Sequence, residues 1–465
     1  MKAISKAVSI TLLIFSILFL LYAIYRAEFH HLGTRSGYYL KYYIISFIFI
    51  FFSVVSFFIN EDLKIKISTV LVATILSLYL IEAYLQITNK NLIRNKVTVK
   101  VKEYEKKTGK KIDIRNRFLI YQELKKKDPN VVVSLIPKNY LHENNQTIFP
   151  LSGISNSKTI FCNENGYMSI YQSDRYGFNN PDVEWNKKEI EFFLVGDSFT
   201  HGYCVNEPDT ISGNLRSMLN QGGGVLNLGQ GGNGPLIEYA TLKEYLPIAN
   251  TKRVLWIYYE GNDVKDTREE SKNSFLSNYL NDINFSQDLK SKQKKINQNL
   301  FIKLQLQINL ERIRNPVIKF LILTELRSST IEKLFLIFNA SPTPLNPGYE
   351  ELERNIFLEF EKIIKLSKEL SEKNEAKFYF VYLPDFSRYL DNSKNNNKEF
   401  YNYQKVVQTI NNLNVKIIDL NTDLFSDHPD FKSLFSQRNG HYNELGYRLV
   451  AKTIFKKIRE YENIK

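Results

Sequence analysis

Three apolar runs crowd the start of the chain, at about 7–25, 42–59 and 67–87. Each has roughly 18–21 residues, the length that crosses ~30 Å of hydrocarbon at ~1.5 Å per residue. A water-soluble fold has little use for three such runs in succession. The first follows Lys2 and Lys6 like a signal peptide, but no Ala-x-Ala cleavage site comes after it and two more runs do. We therefore read residues 1–89 as a membrane domain with three transmembrane helices. Glu82, near the end of the third, is expected at the membrane interface.

Basic residues follow at once: Lys90, Arg94, Lys96, Lys100, Lys102, Lys106, Lys107, Lys110 and Lys111. They account for much of the net charge of +13. Placed beside apolar spans, they fit anionic lipid headgroups at about 1 kcal/mol each, or simply a solvated linker. Membrane lipids are thus an expected partner. No nucleic-acid motif is present. Residues 90–159 read as a basic juxtamembrane connector.

From about residue 160 the pattern changes. Buried strand candidates occur at 190–195, 225–228, 253–259, 377–383 and 415–420. Helical patterns follow them at about 208–220, 235–247, 350–373, 398–412 and 443–460. Continuous apolar runs, in place of strict alternation, mark strands covered on both faces. Strand–helix alternation means an α/β domain, with a parallel five-stranded sheet flanked by helices in a flavodoxin-like, three-layer arrangement. It spans 160–465 and carries a helical insertion at about 264–348. That insertion includes a 24-residue apolar patch, 315–338, which charges interrupt. It is expected to be an amphipathic cap or interfacial helix.

In such a sheet the site lies at the carboxyl ends of the strands. Four polar features fall there. "FFLVGDSF" places Ser198 after the first strand, where a helix start favours developing negative charge. "NLGQGGNG" follows the second and offers the Gly232 amide. "YYEGND" follows the third and offers the Asn262 side-chain donor. "RNGHYNELGY" follows the last and offers His441 as a general base. Each could be an ordinary turn or cap; together, on one edge, they form a constellation. The remaining histidines lack such placement, and His201 reads as an exposed bystander in the serine's turn.

The two cysteines, Cys162 and Cys204, lie in no CxxC or Cys/His cluster, so no metal is expected. They can form one disulfide in an oxidising compartment or remain two thiols.

This constellation resembles the SGNH/GDSL hydrolase family over about 190–460, through "GDSF", "NLGQGGNG" and "EGND", with Glu260 where the family usually has glycine. The resemblance implies a serine esterase or acyltransferase without cofactor. Ser198 would be the nucleophile and His441 the base. The amides of Ser198 and Gly232 with the Asn262 side chain would form the oxyanion hole. It further implies an acylated glycan or lipid-linked substrate and an extracytoplasmic domain, against the charge count, with Cys162 and Cys204 then able to pair. "SDRYGFNNPD", at 173–182, is similar to a segment bordering the site in membrane-linked members. The fourth block departs from the family: Arg438 and Asn439 stand where an aspartate normally orients the histidine. That leaves a Ser-His dyad, a distant Asp427 or Asp430, or Asn439 itself in the acid's place. It also leaves a second reading, a weak or inactive member that binds glycan or a partner enzyme.

Overall fold

The strand candidates assemble into one sheet in the computed structural model, which describes residues 2–30, 36–109, 111–143, 147–219, 222–313, 316–321, 323–328, 347–389, 396–436 and 440–464. The chain divides into two compact units, 1–96 with 314–342, and 97–313 with 343–465.

In the second unit a small sheet comes first in sequence. It contains β1 (Val131–Val133), β2 (Lys158–Ile160) and β3 (Ile170–Gln172), with β1 parallel and β3 antiparallel to β2. The main sheet follows: β4 (Ile190–Gly196), β5 (Gly224–Asn227), β6 (Arg253–Tyr259), β7 (Lys377–Leu383) and β8 (Lys416–Asp419). Its order is β5-β4-β6-β7-β8, and every pair is parallel. The strands are apolar on both faces because both faces are covered. Phe193 and Val195 of β4 join one core with Trp256 of β6 and Phe360 of helix Pro347–Lys373. Phe192 and Leu194 join the other with Val450 and Ile454 of helix Glu444–Tyr461. The chain leaves β4 for β5 on one side and then returns to β6 on the other. The carboxyl ends of β4 and β6 therefore flank the switch point where α/β sheets open a crevice.

Two features redraw the expected boundaries. Residues 97–159 belong to the second unit and are no detached connector: Tyr121, Val132 and Phe149 lie in the same core as the main sheet. They were illegible as core because their apolar residues come in short runs among lysines. The insertion is also split. Helix Gln293–Ile313 buries Ile296, Leu300, Leu304 and Ile308, one side chain per turn, in the second unit. Residues 314–342 belong to the first. Of the patch at 315–338, helix Pro316–Leu321 and residues 323–328 are described; 329–338 lie outside the described residues.

In the first unit, two described helices are long and apolar enough to span a membrane, Ser5–Phe29 and Glu61–Asn89. The expected third is shorter. The run at 42–59 ends its helix at Val55 and spends residues 56–58 on a turn, leaving Tyr39–Val55 as the apolar helix. The first two helices are joined through Ser16 and Ser53, whose hydroxyls lie 2.8 Å apart. Glu82, expected at an interface, is fully buried. Its carboxylate accepts the amides of Glu325 (3.1 Å) and Leu326 (2.8 Å). A charge on an apolar helix is costly unless partnered, and here backbone amides partner it.

Cys162 and Cys204 form a disulfide across 42 residues. Closing a loop of that length removes about 4 kcal/mol of unfolded-state freedom. Cys204→Ser is accordingly expected to cost several kcal/mol of stability, read as a lower urea midpoint in detergent; an unchanged midpoint would refute it.

Candidate active site

Ser198 is presented by a turn with no room for alternatives. A Cβ at Gly196 would fall 2.1 Å from Thr200 Oγ1 and 2.7 Å from the Ile257 carbonyl, so β4 can turn this tightly only with glycine there. Asp197 then caps the short helix Ser198–His201: its Oδ1 accepts the Phe199 amide at 2.9 Å. Burial pushes the Asp197 carboxyl up to about 6, against the lowering effect of that amide and of His441.

His441 precedes helix Glu444–Tyr461, whose start Asn443 caps by accepting the Gly446 amide. The loop is fixed by the Ser436 amide donating to the His441 carbonyl at 2.8 Å. The imidazole lies between two rings, with Tyr203 stacked at 4.2 Å and Phe199 at 4.8 Å. Its Nε2 is 2.8 Å from Ser198 Oγ.

The other ring nitrogen finds an acid that the motif pattern did not point to. Glu164 Oε2 lies 3.1 Å from His441 Nδ1. The same oxygen accepts Ser436 Oγ (3.1 Å) and the His441 amide (3.3 Å). A carboxylate only accepts, so Nδ1 carries the proton and Nε2 is left to accept from the serine hydroxyl. Burial alone would raise the Glu164 carboxyl; the hydrogen bonds and the imidazole outweigh it and hold the group below its ordinary value. Glu164 sits in the turn between β2 and β3, two residues after Cys162. The Cys162–Cys204 bond ties that turn to the segment six residues after Ser198. That pairing was the signal: a disulfide here brings "NEN" to the nucleophile.

Asn439 and Arg438 lie outside the described residues. Asp430 and Asp427 are not among the partners of His441 Nδ1; that partner is Glu164. Because β4 lies between β5 and β6, the Gly232 and Asn262 loops flank the serine turn. Asn262 stands at the N-terminus of helix Asp263–Glu270, and its Nδ2 donates to Asp266 Oδ2 at 2.7 Å. An amide has two such protons, so one remains to be aimed elsewhere.

His201 is no exposed bystander; it is fully buried. The disulfide folds Phe161 over it, with ring centroids 4.2 Å apart, and its Nδ1 accepts the Gly231 amide at 3.2 Å. Burial drives its pKa down to about 3, so the ring is neutral at neutral pH. "SDRYGFNNPD" braces the site from behind. Asn179 donates to the His201 carbonyl at 3.0 Å, and Asn180 pairs with both backbone groups of Asn227 at the end of β5. Asp174, fully buried, accepts from Trp185, Asn180, Tyr176 and Phe178. Among the described residues, no group of three or more His, Cys, Asp or Glu could hold a metal ion.

No family model and no curated protein matches the sequence. Solved structures similar to the chain include a protein of the G-D-S-L family from Desulfitobacterium hafniense DCB-2 (16% identity, TM-score 0.31, covering 57% of this chain and 98% of that one). They also include a member of the lipolytic protein G-D-S-L family from Veillonella parvula DSM 2008 (13%, 0.31, 57% and 97%). A third is the psychrotrophic esterase EstA from a Pseudoalteromonas species (10%, 0.30, 59% and 99%).

Proposed function

We propose that this chain is a membrane-anchored serine hydrolase, an esterase or O-acyltransferase that works through an acyl-enzyme on Ser198. The observation that carries the reading is the Ser198–His441–Glu164 chain, with contacts of 2.8 and 3.1 Å. His441 Nε2 takes the serine proton as Oγ attacks an ester carbonyl, and Glu164 holds the imidazole in the tautomer that can do so. The amides of Ser198 and Gly232 and the Asn262 side chain stabilise the oxyanion. The tetrahedral intermediate collapses, the protonated His441 gives its proton to the leaving alcohol, and water or an acceptor hydroxyl then takes the acyl group. An acylated glycan or lipid-linked ester is the substrate class, with the hydrolase unit outside the cytoplasm, where a disulfide persists. Glu164 supplies the acid whose absence was the ground for reading an inactive binding protein, which supports turnover over that alternative.

The test is covalent labelling of detergent-solubilised protein by a fluorophosphonate, followed by peptide mapping. Labelling of the peptide containing Ser198, absent in His441→Ala, is the expected result. A serine that stays unmodified while a known serine esterase labels under the same conditions would sink the proposal.

A further inference from the structure

Lys138 lies far upstream of the serine, on the 3-10 turn Pro137–Tyr140, yet it reaches the Gly232 loop and the helix that Asn262 starts, the two segments assigned above to the oxyanion hole. Its ammonium grips Asp266, with Nζ 2.8 Å from Oδ1 and 2.9 Å from Oδ2. Asp266 Oδ2 in turn accepts the Asn262 amide at 2.7 Å. The lysine stem covers the other loop: a Cβ built on Gly232 would fall 2.9 Å from Lys138 Cδ, and Gly232 has φ +74°, which favours glycine. One side chain thus spans from the glycine loop to Asp266, the partner of the asparagine.

The charge pattern makes the contact more than a brace. Asp266 shares its surroundings with Asp197, Glu238, Asp263 and Glu270, all four fully or almost fully buried. A carboxylate in contact with an oxyanion donor has the wrong sign for a transition state that gathers negative charge. Asp266 is useful for aiming Asn262 and harmful for its charge. An ammonium bonded to both of its oxygens keeps the aim and offsets the charge.

We infer that Lys138 and Asp266 are a positioning pair for the oxyanion hole: Asp266 aims the Asn262 amide, and Lys138 holds Asp266 and neutralises it. The inference rests on the proposed hydrolase reading and deepens it. Neither residue touches the reacting atoms, so the effect belongs to kcat, with binding of a small ester little changed.

The experiment compares wild type, Lys138→Ala, Lys138→Arg, Asp266→Asn and the Lys138→Ala/Asp266→Asn double variant, all full-length in detergent. p-Nitrophenyl acetate kinetics and the rate of fluorophosphonate labelling at Ser198 are measured on each. Lys138→Ala is expected to lower kcat roughly 10- to 100-fold with KM within about 2-fold, a fraction of the loss from deleting an oxyanion donor. Lys138→Arg should restore most of it. In the double variant the side-chain amide at position 266 keeps an acceptor for Asn262 without the charge. There kcat should recover at least about 5-fold over Lys138→Ala, a coupling that independent sites do not show. A merely structural lysine would give no such recovery. A Lys138→Ala enzyme that labels and turns over like wild type overturns the pair alone, as does a double variant no better than Lys138→Ala. A wild type that fails to label overturns the hydrolase reading, and the pair's role with it.

Discussion

Glu164→Gln is expected to lower kcat for p-nitrophenyl acetate by about 10³- to 10⁴-fold, with the fold intact. The amide has the shape of the carboxylate it replaces, so packing beside Ser436 and Gly440 is kept. What changes is the proton on the imidazole. A Gln amide can donate to Nδ1, which moves the ring proton to Nε2, and Nε2 then has no lone pair for the Ser198 hydroxyl. The charge that stabilises the imidazolium is lost as well. Glu164→Asp retains the charge on a shorter arm and should cost far less. The two variants together separate charge and tautomer from mere occupancy. Steady-state kinetics beside wild type decides it, and Glu164→Gln activity within about threefold of wild type would show that His441 is oriented by something else. The low carboxyl pKa adds a signed expectation. A depressed carboxyl stabilises the fold above its unfolded value, and that contribution is lost only as pH falls through the lower folded value.

His201 should make the fold markedly acid-sensitive. Folded, it takes up a proton only at about pH 3, because burial removes the solvation its charged form needs. Unfolded, it does so near its ordinary value of about 6.5. Between those values the unfolded chain binds more protons than the folded one, so stability rises with pH across this window and falls on acidification. The gap between the two values corresponds to about 5 kcal/mol at the acid end, an upper figure for one group. Protonation of Nδ1 would also eject the Gly231 amide it accepts. Other groups titrate here too, among them Asp197 and Glu270, whose raised values act in the opposite direction. The diagnostic is therefore a difference. His201→Asn keeps an acceptor near the Nδ1 position and does not titrate, so urea midpoints at about pH 4.5 and 7.5, inside and above the window, should lie closer together than in wild type. Parallel pH profiles for the two proteins would refute it.

The sheet was legible because each strand is covered on both faces. A strand such as "RVLWIYY" can be continuous in apolar residues only if both sides are buried, and each was followed by a helix of the right period. Ser198 and His441 were legible as neighbours because topology gathers strand ends on one edge. Glu164 was not, since no periodicity joins a loop residue at 164 to one at 441; only the tertiary fold and the Cys162–Cys204 bond do. His201 was misplaced for a related reason. A polar residue in a turn reads as exposed until the segment that covers it, here Phe161, is known. The middle apolar run was overcounted because length in sequence ignores where a helix stops to turn.

The proposed site draws on two stretches of chain. The sheet supplies Ser198, Asn262 and His441, while Glu164 and Lys138 arrive from residues ahead of β4. The stretch that brings Glu164 and Lys138 also carries Val132 and Phe149 into the core of the main sheet, so exchange of residues 131–172 between related chains would change the packing under the parallel layer together with the partners of His441 and Asp266. A fragment begun at Ile190 would contain the sequence of all five strands, lack Glu164 and the core residues Val132 and Phe149, and carry Cys204 as an orphan thiol.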